Sequence, residues 1–346
     1  MKKAGIVFLI LLMTASLYLW FDHHRRPAEE WQEKSAEERR VEVSAGSSLE
    51  EIADKLFDKG VIRSRHLFKI YARLQDMDRN MQAGVYKFSR NQKVGEIVEK
   101  IGQGRVYTER LAVPEGSTVE EIASRAASNL KLTEDEFLQE ARRSAAGRDY
   151  LPDSDRVQYR VEGFLYPTTY LVPYDIDPGD LIDTMLDRFE EKWLDEIESF
   201  ISERDNFEES RMNFQENWTI REVVVLASLI EKEAVLPEEK PVIAGVILNR
   251  LKDNMRLQID ATVQYALTER KERLMYSDLE VDSPYNTYLY SGLPPGPIAS
   301  PGDEAIKAAV EPDNNDYLFF FARGDGSHEF TKSYQEHLKR QRKLLD

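Results

Sequence analysis

The chain has 346 residues, enough for two or three domains with a sizeable core. Its 63 acidic residues outnumber 47 basic ones, and the net charge of -16 argues against a nucleic-acid partner. There is no cysteine, which excludes disulfides, thiol catalysis and cysteine-ligated metals, and the five histidines form no H-x-x-x-H pair of the zinc-hydrolase kind. No metal and no other cofactor is expected.

Residues Ala4 to Phe21, AGIVFLILLMTASLYLWF, carry no charge. At ~1.5 Å per residue this run suffices for one membrane-spanning helix. Lys2 and Lys3 precede it and Trp20 stands at its far end, as an interfacial anchor would. The run is long for a cleaved signal peptide, and no clean small-x-small site follows. The expectation is a single transmembrane anchor over 1–21 in the cytoplasmic membrane, with the bulk of the protein outside the cytoplasm. A polar stalk follows over 22–40.

An internal repeat comes next. VSAGSSLEEIA (Val43 to Ala53) and VPEGSTVEEIA (Val113 to Ala123) agree at seven of eleven positions, 70 residues apart. Each predicts a strand end, a glycine turn, a Ser or Thr cap and a helix opening with two glutamates. The first copy continues into helices over Leu49 to Asp58 and Arg65 to Gln75. A strand at Ala83 to Phe88 and a helix over Val94 to Ile101 complete it. That strand-helix-helix-strand order, with its V-x-x-G-S-S-L-x-x-I-A opening, resembles the LysM-like module over 41–107. The resemblance implies binding of N-acetylglucosamine-containing glycans. Residues 108–215 predict a second αβ unit with connecting helices. It includes the aromatic segment VEGFLYPTTY (Val161 to Tyr170) and a long amphipathic helix from Leu181 to Arg204.

Over 216–346 the sequence becomes richest in chemistry. Thr219 and Glu222 fit a capping box opening an apolar helix that carries Glu231 and Glu233 on opposite flanks, so periodicity alone leaves both as candidates. Glu233 lies close to the break at Pro237. A second helix, Val242 to Leu251, ends on Asn249 and Arg250. In Met255 to Leu267 the residues Gln258, Asp260 and Thr262 alternate with apolar ones, which predicts a strand with the three on one face. The stretch DSPYNTYLYSGLPPGPIASPG (Asp282 to Gly302) is too long and too aromatic for a plain connector. Its Tyr285, Asn286 and Tyr288 offer stacking faces and an amide suited to sugars. Ser300 is predicted to cap a helix with Pro301 in its first turn. Tyr317 to Phe330 predicts a buried strand, a Gly-Asp-Gly hairpin and a return strand carrying His328, a candidate lining residue. A carboxylic acid set in an apolar wall opposite hydrogen-bonding side chains is what scission of a glycosidic bond requires.

Taken together, V-E-G-F-L-Y-P-T-T-Y, A-S-L-I-E-K-E, N-R-L-x-x-x-M-x-L-Q-x-D-x-T-V-x-Y, Y-N-T-Y-x-x-x-G-L-P-P-G-P-I-x-S-P-G and G-S-H-x-F resemble the endolytic murein transglycosylase family, of YceG-like type, over nearly the full length. The resemblance implies a lyase of peptidoglycan in which Glu233 is the single general acid/base. Ala234 stands where many lytic transglycosylases carry Ser or Thr, and Glu231 is the reserve. It further implies that Glu162, Asn249, Gln258, Asp260, Thr262, Tyr285, Asn286, Tyr288, Ser300 and His328 bind substrate. The implied partners are glycan strands and the peptidoglycan synthases (penicillin-binding proteins) that make them. Half-protonation near pH 7 requires Glu233 to rise from ~4.3 to ~7, a cost of ~3–4 kcal/mol that burial can supply. Two rival readings are a lysozyme-like hydrolase using Glu233 with Asp260, and a non-catalytic glycan-binding scaffold. The expected fold class is α+β: an N-terminal transmembrane helix, a small LysM-like αβ domain and a larger mixed α+β catalytic domain.

Overall fold

The structure, a computed structural model, describes residues 38–345 except 90–91, 144–146, 153–154, 205–217, 268 and 270, together with 13–16, 18, 19 and 22. Most of the anchor expected over 1–21 and most of the stalk expected over 22–40 fall outside the described residues. Among the described ones no helix is long and apolar enough to cross a membrane. The chain is mixed α+β and divides into two compact units, 1–109 with 171–175, and 110–170 with 176–346.

The first unit runs through β1 (Arg39–Val43), α1 (Leu49–Asp58), α2 (Arg65–Leu74), β2 (Gly84–Phe88) and α3 (Val94–Gly102). β1 and β2 pair antiparallel, with Val41 opposite Tyr86. In β1 the alternation Val41-Glu42-Val43 puts two valines into a core with Ile52, Leu56, Phe68, Phe88 and Ile97. The glycine turn works as the sequence suggests. Gly46 sits at φ 76°, the Ser48 hydroxyl accepts from Glu51 N–H at 3.2 Å, and the Glu51 carboxylate accepts from Ser48 N–H at 2.7 Å.

The second repeat builds the same local structure. β3 (Thr108–Ala112) leads to Gly116 at φ 72°, and Thr118 and Glu121 close a capping box on α4 (Val119–Asn129). α5 (Glu134–Arg143) and β4 (Thr169–Pro173) follow, and β4 pairs with β3. A strand-helix-helix-strand order thus occurs twice. The predicted long helix is one helical run made of α6 (Pro178–Phe189), a π-helical turn at Glu190–Leu194 and α7 (Asp195–Arg204).

α8 (Ile220–Glu233) is apolar nearly all round, and Val223 through Ile230 are buried without a gap. It is enclosed by α9 (Lys240–Lys252), which follows a 3₁₀ turn at Pro237–Glu239, and by α11 (Asp303–Val310). α10 (Asp260–Ala266) lies between these two in the chain and also packs on α8. Gly163, at φ 83°, turns the aromatic segment where any Cβ would overlap Pro297. β5 (Phe319–Ala322) and β6 (His328–Thr331) form the predicted hairpin, with Phe320 opposite Phe330. Its strands are half-buried rather than buried, packing Phe319 at a tilt and Phe321 edge-on against His337 of α12 (Tyr334–Leu345).

Two local expectations are corrected. Met255 to Leu267 is not a strand: residues 255–259 are irregular and α10 begins at Asp260. Gln258 takes a left-handed φ of 52° and Thr262 turns inward to bond Ile259 O at 2.7 Å, so a period of two arose from a corner followed by a helix. Ser300 is not a cap either. Gly302 is the N-cap of α11, while Ser300 is fully buried and pairs its backbone with Gly116 and Ser117.

Candidate active site

Glu233 is the last residue of α8, and Ala234 leaves the helix with extended backbone (φ -90°, ψ 124°). The carboxyl is half-buried, and among the described residues it makes no hydrogen bond or ion pair. Burial, then the negative charge of Asp260, push it up to about 7 against a smaller opposing pull from Arg250. A carboxyl reachable by solvent yet densely ringed by protein can hold or release a proton at neutral pH.

Asp260 opens α10 and is exposed; its Oδ1 accepts from the Tyr288 hydroxyl at 2.5 Å. Burial, then that bond, lift Tyr288 above the usual phenol range, so it keeps its proton and donates. Arg250, on the last turn of α9, donates from Nε to Leu318 O and from Nη1 to Leu257 O, each at 2.6 Å. It thereby ties α9 to the corner before α10 and to the start of β5. Gln258 is exposed at that corner, its N–H on Thr287 O at 3.1 Å. Thr262 is fully buried, its hydroxyl 2.9 Å from that of Thr287.

Glu231 has a different neighbourhood. Lys240 Nζ donates to its Oε2 at 2.9 Å, both side chains being nearly buried, and Gly302 N–H points to the same oxygen at 3.3 Å. Glu115 stands nearby, its carboxyl raised by burial and then by Glu231. Lys240, which no sequence pattern singled out, is the partner that occupies Glu231.

The remaining candidates are built into the scaffold around these groups. The Asn286 amide donates to Leu279 O at 2.9 Å and Val281 O at 2.8 Å, pinning the loop that presents Tyr288. Tyr285 is buried with its ring 4.8 Å from that of Tyr265. Asn249 donates to Asn315 O and Tyr317 O, each at 2.9 Å. Ser300 lies in the core, and His328 bonds Glu239 through its ring and its N–H, at 2.6 and 2.9 Å. That clasp holds the β5–β6 hairpin to the turn just after Glu233. Arg250 was legible only as a letter in a motif and Glu239 lay outside the motifs, with no spacing to mark either role. Among the described residues no group of three or more His, Asp or Glu is placed to hold a metal ion.

Glu162 is fully buried, accepting from Val119 N–H at 3.1 Å and from the Tyr265 hydroxyl at 3.0 Å. It joins the start of α4 to α10. Burial pushes it up to about 8 in spite of these donors. A carboxyl raised on folding contributes stability that is full below its unfolded value of ~4.3 and is lost as pH rises through 8. Glu162→Gln is therefore expected to flatten the fall in melting temperature between pH 5 and pH 8.5, removing roughly 3–5 kcal/mol of pH-dependent stability. Calorimetry of both proteins across that range tests it, and an unchanged slope would refute the assignment.

A cavity of about 670 Å³ elsewhere in the second unit is lined by Arg148, Tyr150, Glu190 and Trp218. Its charges answer one another, Arg148 bridging Asp183, Asp187 and Glu190, and no residue of the Glu233 group lines it.

The YceG-like family matches residues 41–343. The "Endolytic murein transglycosylase" of Bacillus subtilis (strain 168) is 32% identical over 322 residues, covering 88% of this chain and 84% of that one. The protein of the same name from Streptococcus pneumoniae serotype 2 is 28% identical, covering 86% of this chain and 56% of its own length. A crystal structure of a yceG-like protein from Listeria monocytogenes superposes with a TM-score of 0.59 at 32% identity, covering 88% of this chain and all of that one. On the extent of these matches, the chain belongs to the YceG-like family.

Proposed function

We propose that this protein is an endolytic murein transglycosylase, a lyase that cuts the N-acetylmuramic acid–N-acetylglucosamine bond inside glycan strands and leaves 1,6-anhydro ends. Glu233 is its general acid and base. The observation that carries the reading is one unpaired carboxyl, at the end of a buried helix, lifted to about 7. Glu231 lacks that freedom because Lys240 holds it.

The acid form of Glu233 gives its proton to the glycosidic oxygen as the bond to the anomeric carbon breaks, and the bonding pair leaves with the N-acetylglucosamine oxygen. The carboxylate then takes the proton of the muramyl 6-hydroxyl as that oxygen bonds to the same anomeric carbon. Glu233 ends as it began and no water is consumed, so one carboxyl suffices. Exposed Gln258 and Asp260, with Tyr288 beside them, meet the glycan, while Thr262, Tyr285 and Asn286 hold the wall that carries them. The first unit, LysM-like in its order of elements, supplies glycan affinity. The run at 4–21 anchors the chain in the cytoplasmic membrane with its bulk outside, beside the synthases that lay down new strands.

The test is mass spectrometry of muropeptides released from purified peptidoglycan. Anhydro-muramyl ends are the expected product. Asp260 stands on the same site as Glu233 and gives a hydrolase reading its one supporting feature, and reducing ends would select that reading instead.

A further inference from the structure

Resting on the reading of Glu233 as acid and base, we propose that Glu239 and His328 are positioning residues. Together they clamp the turn that leaves Glu233, so that its carboxyl is presented to the glycan in one place.

The turn has little else to hold it. α8 ends at Glu233 and α9 begins at Lys240, and of residues 234–239 only Ala234 is buried. Val235, Pro237 and Glu238 are exposed. The backbone closes on itself through short-range bonds, Glu239 N–H on Leu236 O at 3.1 Å and Lys240 N–H on Pro237 O. A stretch with so little apolar burial keeps its shape only where side chains tie it down.

Such ties stand on both sides. At the end of α8, Lys232 reaches Gly116 O at 3.1 Å and Glu231 is paired with Lys240. At the outer edge of the turn Glu239 meets His328 twice: Oε1 accepts from the His328 N–H at 2.9 Å, and Oε2 lies 2.6 Å from the ring Nδ1. Both side chains are nearly buried, so water competes little for either bond.

His328 serves as a fixed point because the hairpin that carries it is itself braced. From the last turn of α9, Arg250 Nε donates to Leu318 O at 2.6 Å and Asn249 donates to Tyr317 O at 2.9 Å. Glu329, next to His328, is paired with Arg323 and with Arg340 of α12. The His328 ring meets Phe320 edge-on, with centroids 5.5 Å apart. At the hairpin tip Gly326 comes up against the turn, where an added Cβ would lie 3.7 Å from Val235 Cγ1. The turn, α9 and the hairpin therefore close a ring of contacts, and Glu239 with His328 is the link that completes it. The late G-S-H-x-F motif gains a role in which His328 need not touch the substrate.

Glu233 must give a proton to one oxygen and take one from another, and a displacement of about 1 Å can cost on the order of 10²-fold in rate. Among the described residues the hydrogen bonds of the clasp do not involve Gln258, Asp260 or Tyr288. Its loss therefore bears on turnover and not on glycan affinity.

The experiment is steady-state kinetics of the full chain on purified glycan strands, with anhydro ends as readout and rates normalised to folded protein. His328→Phe keeps the ring packing and loses the nitrogen, so it should lower kcat ~10–100-fold with KM within about twofold of wild type. Glu239→Ala should do the same. Glu239→Gln should recover most of that loss, since an amide can accept from His328 N–H and donate to Nδ1. In a Glu233→Gln background His328→Phe should cost far less, because the carboxyl it positions is already gone. A raised KM at unchanged kcat would make His328 a glycan contact and overturn the proposal. So would an unchanged kcat in both His328→Phe and Glu239→Ala, or a full loss persisting in the Glu233→Gln background, which would mark the clasp as support for the fold alone. Should His328→Phe not fold, Glu239→Ala against Glu239→Gln decides the question. Anhydro product from Glu233→Gln at the wild-type rate would instead overturn the underlying reading of Glu233.

Discussion

Glu233→Gln is expected to lower anhydro-muropeptide formation by ~10²–10⁴-fold while leaving the protein folded. The amide matches the carboxyl in shape, and because Glu233 makes no hydrogen bond among the described residues, no partner is orphaned by the change. Stability should move the other way. Folding raises this carboxyl to about 7, so its contribution to stability is full below ~4.3 and is lost as pH climbs through 7. The glutamine variant escapes that loss and should be more stable than the wild type at pH 8.5, by roughly 1–3 kcal/mol, and indistinguishable near pH 4. An inactive protein that melts higher than the wild type at neutral and alkaline pH, but not near pH 4, is the signature of a group held in place for chemistry at a cost to the fold. Product formed at the wild-type rate, or a stability change independent of pH, would sink the assignment.

Lys240→Met should cost roughly 3–5 kcal/mol, because it leaves the Glu231 carboxylate nearly buried beside Glu115 with its cation gone. For a unit of this size that is a fall in melting temperature of about 6–20 °C. Adding Glu231→Gln should recover much of it, since a neutral amide no longer needs the ammonium and can still accept from Gly302 N–H. A double variant as unstable as Lys240→Met alone would show that Lys240 acts through its packing and not its charge. The pair also fixes the last turn of α8 to the first of α9, so part of the damage should appear as lost activity even where the protein remains folded.

Local chemistry explains what could be read from the letters. Ser48 with Glu51, Thr118 with Glu121 and Thr219 with Glu222 mark helix starts because three residues is the span over which a cap and its carboxylate reach one another. Gly324-Asp325-Gly326 marked a hairpin for the same reason of short range. The family motifs named Glu233, but periodicity left Glu231 level with it, since the choice turns on Lys240, nine residues away around a proline turn. Gln258, Asp260 and Thr262 read as one strand face because their corner depends on Thr287, 25 residues beyond Thr262. Ser300 read as a cap because a buried serine pairing its backbone with Gly116 and Ser117 leaves no trace in its own neighbourhood. The loop-pinning bonds of the Asn286 amide were hidden for the same reason: its acceptors, the Leu279 and Val281 carbonyls, have no sequence signature.

The first unit is not a continuous stretch of chain, because residues 171–175 return to it after the second unit has begun. On the ribosome that ordering has a price in time. The core of the first unit, Val41 to Ile101, can close once its own helices have emerged; only the edge at Tyr107, where Tyr174 donates its N–H to Tyr107 O at 2.9 Å, waits until α4, α5 and β4 have been made. A fragment ending near residue 107 would keep that core and lack only the returning segment, so limited proteolysis of such a truncation is expected to cut first at its Tyr107 end and to spare the helices. A split of the protein that keeps every contact of the first unit carries 171–175 along with the N-terminal part.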